Sequence, residues 1–350
     1  MEKLPVRTYS DTENCFGDSA DSLRFSEVYK TFARKGLIGF SFIKLKIRKM
    51  KKTIVFILIA IGVLFSCRKD KQPKETILSG SVTLLTDESL FPIVEDQVSV
   101  FEHNYRANVK ISSQSEAQTI NSLLSDTVRV AVLSRMLTAE EEAVFTQKNI
   151  TPRITRFALD AIAFISNKNS NDTLMEIDEV LNYIKGEPSK IKALVFDNPN
   201  SGAMRLLCEK AGVNVGENKN VFSKSSSQEL IKFISENEGY IGVVGVNWLT
   251  QPPQTLQESL NNIHILAVKD VKMANGDINY YKPSQANIAK KLYPLTREVY
   301  LLNYQGTTGL GMGFASFLAG DVGQRIVLTS GLAPLQVEQM KINVTKEFNN

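Results

Sequence analysis

From about residue 80 onward, short apolar runs alternate with stretches that repeat at the helical period. The runs at residues 80–85, 109–111, 128–133, 161–165, 193–196, 240–244 and 263–268 are rich in Val, Ile and Leu and read as strands. Between them, residues 93–105, 117–124, 139–148, 177–185, 203–211 and 226–236 place apolar side chains three and four apart and read as helices. Strands and helices taking turns predict an α/β class of fold, with parallel sheets covered on both faces. A patterned body of roughly 270 residues is large for one core and suits two α/β lobes.

The chain ahead of this body is patterned differently. An unbroken apolar run at residues 53–65 follows Met50-Lys51-Lys52 and stops at Ser66-Cys67. It is too short to span a bilayer, which takes about 20 residues, and it has the length of a secretory signal core. Leu64-Phe65-Ser66-Cys67 resembles a bacterial lipobox, which makes residues 50–66 a lipoprotein signal and Cys67 the lipidated first residue. Residues 1–49 then read as an overextended start or unstructured leader, and residues 67–76, polar with one Pro, as a tether.

That division changes the charge balance. The first 66 residues hold 12 of the 41 Lys and Arg and 6 of the 37 Asp and Glu, leaving 29 basic against 31 acidic side chains. The basic balance of the whole chain therefore belongs to the signal, and no basic stripe remains to suggest nucleic-acid binding. Of Cys15, Cys67 and Cys208, only Cys208 would remain as a thiol, so no disulfide framework is expected. Its place in the apolar stripe Leu206-Leu207-Cys208 makes it a packing residue.

Chemistry concentrates in the loops after the strands. Thr86-Asp87-Glu88-Ser89, Ser112-Ser113-Gln114-Ser115, Ser134-Arg135 and Asn200-Ser201-Gly202 each set small hydroxyls ahead of a helix. The most informative is Asp197-Asn198-Pro199-Asn200-Ser201-Gly202-Ala203: a strand breaks at Pro199, and Asn200 or Ser201 caps the helix that follows. Such a start turns free N–H groups and the positive end of the helix toward one spot, where a small anion is held without a metal. In open α/β sheets that spot lies beyond the carboxyl ends of the strands.

Other signals lead nowhere. Gly306-Thr307-Thr308-Gly309-Leu310-Gly311-Met312-Gly313 has Phe314 where a dinucleotide fingerprint needs its third Gly, and no P-loop Lys follows, so it reads as a turn into a helix. His103 and His264 lack a Cys or second His at ligand spacing, which predicts no metal site and no cofactor. No Gly-x-Ser-x-Gly elbow is present, so no enzyme is expected. The lone Trp248 reads as a packing residue after the strand at 240–244.

Across nearly the whole body the sequence resembles the extracytoplasmic phosphate-binding component of ABC transporters, a type II periplasmic binding protein. The resemblance is carried by Ser89-Leu90-Phe91-Pro92, by Glu238-Gly239-Tyr240-Ile241-Gly242-Val243, by the stretch from Tyr293-Pro294-Leu295-Thr296-Arg297 to Tyr300, by Phe317-Leu318-Ala319-Gly320-Asp321-Val322-Gly323 and by Gly331-Leu332-Ala333-Pro334-Leu335. It implies two α/β lobes joined by two crossover strands near 154–165 and 293–303, with lobe I from 77–155 plus 300–345 and lobe II from 160–292. It also implies a monomer that closes around phosphate or a related small oxyanion and is read by an inner-membrane ABC permease. The location would be the periplasmic side of the cell membrane or outer membrane, through the lipid anchor. A lipoprotein that keeps this fold as a sensor or interaction module, without transport, is the alternative.

Carried over residue by residue, the resemblance makes Ser89, Ser115, Ser201 and Gly202 ligand contacts, with Ser134 and Asn200 in the same loops. Ala203 stands where the family has Thr. The family's Asp after the third strand and its Arg before the Ser-Gly step read here as Arg135 and Asp197, a reversed ion pair across the cleft. With Arg135 as a direct contact offering only donors, selectivity against fully deprotonated anions is expected to relax.

Overall fold

The computed structural model describes residues 75–216, 221–272 and 278–335. The leader at 1–49, the signal at 50–66, Cys67, the tether up to residue 74 and the segment from 336 to 345 lie outside the described residues.

The first half of the body runs β1 (Ser79–Asp87), α1 (Phe91–Asn104), β2 (Arg106–Gln114), α2 (Glu116–Leu124), β3 (Val130–Leu133), α3 (Ala139–Gln147) and the long β4 (Arg153–Asn167). Next come β5 (Leu174–Glu176), α4 (Ile177–Lys185), β6 (Leu194–Phe196), α5 (Gly202–Ala211), β7 (Val221–Ser223), α6 (Ser227–Glu236), β8 (Ile241–Gly245), α7 (Asn247–Thr250), α8 (Gln257–Asn261), β9 (Ile263–Ile265), β10 (Ala267–Lys269) and α9 (Gln285–Ala289). The chain then returns through β11 (Thr296–Asn303), α10 (Leu310–Ala319), α11 (Asp321–Thr329) and β12 (Ala333–Pro334).

Local chemistry sets the helix ends. Ser115 with Gln118 and Thr138 with Glu141 form reciprocal capping boxes at the starts of α2 and α3. Gly186 and Gly212 close α4 and α5 in the left-handed region, at φ 77° and 71°, where a Cβ would be strained. Ser201 caps α5 by accepting the Met204 N–H at 3.3 Å, as its sequence predicts.

The strands form two α/β lobes on a shared path, β2-β1-β3-β11-β4-β8-β6-β7. β1 pairs in parallel with β2 and β3 in one lobe, and β6 pairs in parallel with β7 and β8 in the other. The all-parallel expectation is corrected at the junction: β11 runs antiparallel to both β3 and β4, and β4 antiparallel to β8 and β9. The reason is that β4 crosses from one lobe to the other and β11 comes back, so each must run against the neighbours it left. β4 pairs with β11 as far as Ala161 and with β8 from Ile162 onward, one strand serving both sheets. β11 shifts register between Val299 and Tyr300. The run at 263–268 is two strands, because Leu266 N–H turns to bond the Phe164 carbonyl before β10 pairs with β5.

Each lobe has its own apolar filling. Leu84, Ile93, Val98, Phe101, Phe157, Val299, Phe314 and Leu318 pack on one face of the first sheet. Ile120, Leu123, Phe145, Leu302 and Tyr304 pack on the other. The second lobe closes around Phe164, Val195, Leu207, Ile231, Val243 and Trp248, with Cys208 and Ala203 buried among them. Packing on both faces explains why the central strands read as continuous apolar runs rather than alternations.

Candidate functional site

The carboxyl ends of β1, β2, β3, β6 and β7 converge, so the loops after them meet where the two lobes face each other. Asp87 caps the short 3-10 turn after β1, taking the Ser89 N–H at 3.2 Å and the Ser89 hydroxyl at 3.0 Å. Glu88 reaches across to the second lobe, where the Ser227 N–H and hydroxyl at the start of α6 donate to its carboxylate at 3.0 and 2.7 Å. The Trp248 indole N–H donates to the Glu88 carbonyl at 3.2 Å, and the Ala117 N–H donates to the Asn200 carbonyl at 3.3 Å. The connections after five strands, from two lobes, are thus tied together.

Glu116, the first residue of α2, lies at the centre. Its carboxylate accepts the Ser134 hydroxyl at 2.9 Å and Arg205 Nε of α5 at 2.5 Å, with Arg205 Nη2 at 3.4 Å. A Cβ built on Gly202 would stand 2.6 Å from Glu116 Oε2, 2.8 Å from Ser134 Oγ and 3.0 Å from Asp87 Oδ2. Only a glycine at the first position of α5 leaves room for these oxygens. The carboxylate therefore sits against a helix start, where N–H groups and the positive dipole end favour negative charge.

Behind this centre, Arg297 of β11 gives Nε and Nη2 to Asp160 Oδ2 of β4 at 2.8 and 2.7 Å, and Nη2 also to Ser89 Oγ at 2.9 Å. Both members of the pair are buried, and among the described residues Arg297 Nη1 and Asp160 Oδ1 have no hydrogen-bond partner. Asn247 is fully buried beside them, and both polar atoms of its amide also lack a partner among the described residues. Gly245 permits this crowding, since its Cβ would lie 2.9 Å from the Ser89 carbonyl and 3.2 Å from Arg297 Nη2.

The carboxyl groups are perturbed by their setting. Burial pushes Asp87 up to about 7, against the pull of Arg297 and aided by Glu116 and Asp197. Burial likewise lifts Glu88 to about 7, with the Asp197 charge adding and the Ser227 hydrogen bonds opposing. Asp197 and Asp160 are raised by burial too, although Ser201 and Arg297 restrain the first and Arg297 the second. Burial works against the Arg297 charge, and Asp160 and Asp87 more than offset it.

The residues singled out in the sequence fall unevenly around this centre. Ser89, Ser134, Ser201 and Gly202 lie within it, and all are buried. Ser115 is buried as the cap of α2, its hydroxyl taking the Gln118 N–H. Asn200 contributes its carbonyl, while its side chain faces solvent. Ala203 packs in the core of the second lobe. Asp197 is buried, with Asn198 N–H on Oδ1 at 2.9 Å and Ser227 Oγ 3.4 Å from Oδ2.

Arg135 departs from expectation. Its two terminal nitrogens grip Glu141 at 2.7 and 2.8 Å, and its Nε lies 3.6 Å from Glu116. Among the described residues no ion pair joins it to Asp197, so the reversed pair does not form. The capping glutamate of α3 outcompetes the cleft for this fork, because a bidentate carboxylate six residues on fits a guanidinium well. Two further cations that meet the cleft, Arg205 and Arg297, and the carboxylates Glu88 and Glu116, were not singled out. Arg205 carries the charge of a solvated helix face, Glu116 looks like an ordinary first-turn acid, and Arg297 sits in a stretch noted only for its resemblance.

Two lobes bridged by crossing strands and tied over a buried seat of hydroxyls, carboxylates and guanidinium groups define a type II bilobal binding fold. Comparison with known proteins agrees: the model of the PBP superfamily domain matches residues 72–322, and the chain belongs to that superfamily. It is 24% identical over 301 residues to the phosphate-binding protein PstS of Borreliella burgdorferi, covering 81% of this chain and 98% of the relative. The phosphate-binding protein PstS of Bacillus subtilis is 22% identical over 290 residues, covering 80% and 88%. Among solved structures, a phosphate ABC transporter substrate-binding protein with bound phosphate from Clostridium perfringens superposes with a TM-score of 0.60 at 18% identity, covering 73% of this chain and all of that one. An ABC-type phosphate transport receptor from Vibrio cholerae superposes at 0.54 and 16% identity, again over 73% and the whole of the other chain.

Proposed function

We propose that this chain is an extracytoplasmic solute-binding protein, lipid-anchored through Cys67, that captures phosphate or a related small oxyanion for an ABC transporter and performs no catalysis. Lobe I is taken as 77–155 plus 300–345 and lobe II as 160–292, with β4 and β11 as the crossings about which the cleft opens. The names of the relatives support the ligand class. One observation carries the reading: an oxyanion, the Glu116 carboxylate, already rests against the start of α5 with a serine hydroxyl and a guanidinium on it. That carboxylate stands in for the solute's own oxygens, and its donors come from both lobes.

The corrected place of Arg135 alters the selectivity. Asp87 Oδ2 stands within reach of the seat, so an acceptor is present for a proton carried by the solute. The relaxed selectivity expected from Arg135 loses its basis, and a protonated oxyanion is favoured over one without a proton. Titration calorimetry of the purified protein at pH 8, above the value of about 7 to which burial lifts Asp87, is expected to show phosphate binding at least about tenfold tighter than sulfate, a difference of about 1.4 kcal/mol. Ser201→Leu, which fills the cap position, is expected to abolish binding of both. Equal affinity for the two anions would remove the role given to Asp87, and undiminished binding by the Leu variant would remove the site.

A further inference from the structure

Glu116 holds two of the seat's donors, Ser134 and Arg205, and it is itself part of the chain. Its residue is 2% exposed, so water does not share in satisfying it. Ser134 and Arg205 hold its oxygens at 2.9 and 2.5 Å, and Oε2 lies closest of any described atom to the bare face of Gly202. Asp87 Oδ2 approaches the same point. A tetrahedral oxyanion set against Gly202 would need the volume and the hydrogen bonds that Glu116 now holds.

Resting on the oxyanion reading above, we propose that Glu116 determines specificity as a built-in rival: its carboxylate takes the anion seat, and a solute enters only by displacing it. The rival is a planar group with one charge and two oxygens. A solute of the same kind, such as formate or acetate, gains nothing over it, because each donor released by Glu116 is regained once. A tetrahedral oxyanion brings more acceptors and more charge, and Arg297 Nη1, a buried donor with no partner among the described residues, is left to take one of them. The seat thereby rejects small carboxylates without a steric barrier, by setting a threshold of charge and oxygen count.

Removing the rival leaves the neighbouring cations paired. Arg205 keeps Glu209 at 2.8 Å and Arg135 keeps Glu141, so no buried guanidinium is orphaned. Glu116→Gln keeps the shape and removes the charge, while Glu116→Asp keeps the charge and withdraws it from the seat by one methylene. Both variants are compared with the unaltered protein by calorimetric titration with inorganic phosphate and with acetate, after thermal melting confirms folding. Phosphate is expected to bind at least about tenfold tighter to Glu116→Gln and Glu116→Asp, and acetate to bind Glu116→Gln but not the unaltered protein. A glutamate serving only to join the lobes gives the opposite result, since its loss loosens closure and weakens phosphate. Unchanged or weaker phosphate binding in both variants, with normal binding by the unaltered protein, overturns the proposal and leaves the oxyanion reading intact. If neither the unaltered protein nor either variant binds phosphate, sulfate or arsenate, the oxyanion reading fails and this proposal fails with it.

Discussion

At the scale of single residues, the cleft is built from buried serines, carboxylates and guanidinium groups and a glycine that keeps out of their way. Gly202 is the sharpest case. Gly202→Ala places a methyl 2.6 to 3.0 Å from three oxygens of Glu116, Ser134 and Asp87, closer than real Cβ atoms come. Those oxygens end side chains that swing aside, so the fold is expected to survive with a change in melting temperature of a few degrees, about 1 kcal/mol. Phosphate affinity is expected to drop about tenfold or more, read by titration, because the methyl then stands on the seat. The serines were legible in the sequence because a small hydroxyl before a helix has a local reason, capping, that shows in neighbouring residues. Glu116, Arg205 and Arg297 were not, since their roles arise from partners 89 and 137 positions away in sequence. Arg135 is a different case: its partner Glu141 lies only six residues on, as the acid of a capping box, and that local carboxylate competes with the cleft for the guanidinium.

At the scale of elements, β4 and β11 do more than connect. Between them lies the buried pair of Asp160 and Arg297, in which one carboxylate oxygen serves two guanidinium nitrogens. Replacing Arg297 with Met would leave Asp160 buried without its cation, and the loss is expected to be about 3–5 kcal/mol in urea unfolding. Adding Asp160→Asn should restore more than half of it, because the uncompensated charge is then gone. A single Arg297→Met variant as stable as the parent would show that Asp160 is held neutral. The strand and helix pattern predicted helices α1 to α6 and strands such as β1, β6 and β8 to within a few residues, because strands packed on both faces and capped helices are local facts, whereas the short β5, β7, β12 and α7 to α9 carry too few apolar positions to show a period. The antiparallel course of β4 and β11 was invisible to that pattern. Direction in a sheet depends on which strand becomes a neighbour, and an apolar run reads the same either way.

At the scale of the whole molecule, the lobes meet through acids. The folded chain binds protons at Asp87 and Glu88 more tightly than the unfolded chain does, since both are raised to about 7 from ordinary carboxylate values. Stability therefore falls as pH rises from about 4.5 to about 7 and levels off above that range. For Glu88 alone, a rise from 4.5 to about 7 corresponds to about 3 kcal/mol across the window. Melting temperatures between pH 5 and pH 8 are expected to decline, and Glu88→Gln should flatten the decline. That variant keeps both bonds to Ser227, because the amide oxygen accepts the N–H and the amide nitrogen donates to the hydroxyl. A flat profile in the unaltered protein would show that the two acids keep their usual acidity. None of this is available from composition: the charges balance over the body, and only folding brings Asp87, Glu88, Glu116 and Asp197 together.

The chain has one tryptophan, and its indole is buried in the second lobe with its N–H on a carbonyl of the first. Separation of the lobes would break that bond and wet the ring, whereas closing restores both. Trp248 is therefore a native optical probe of aperture: its ultraviolet emission moves toward the red as the jaws part, with no dye and no competing fluorophore of its kind.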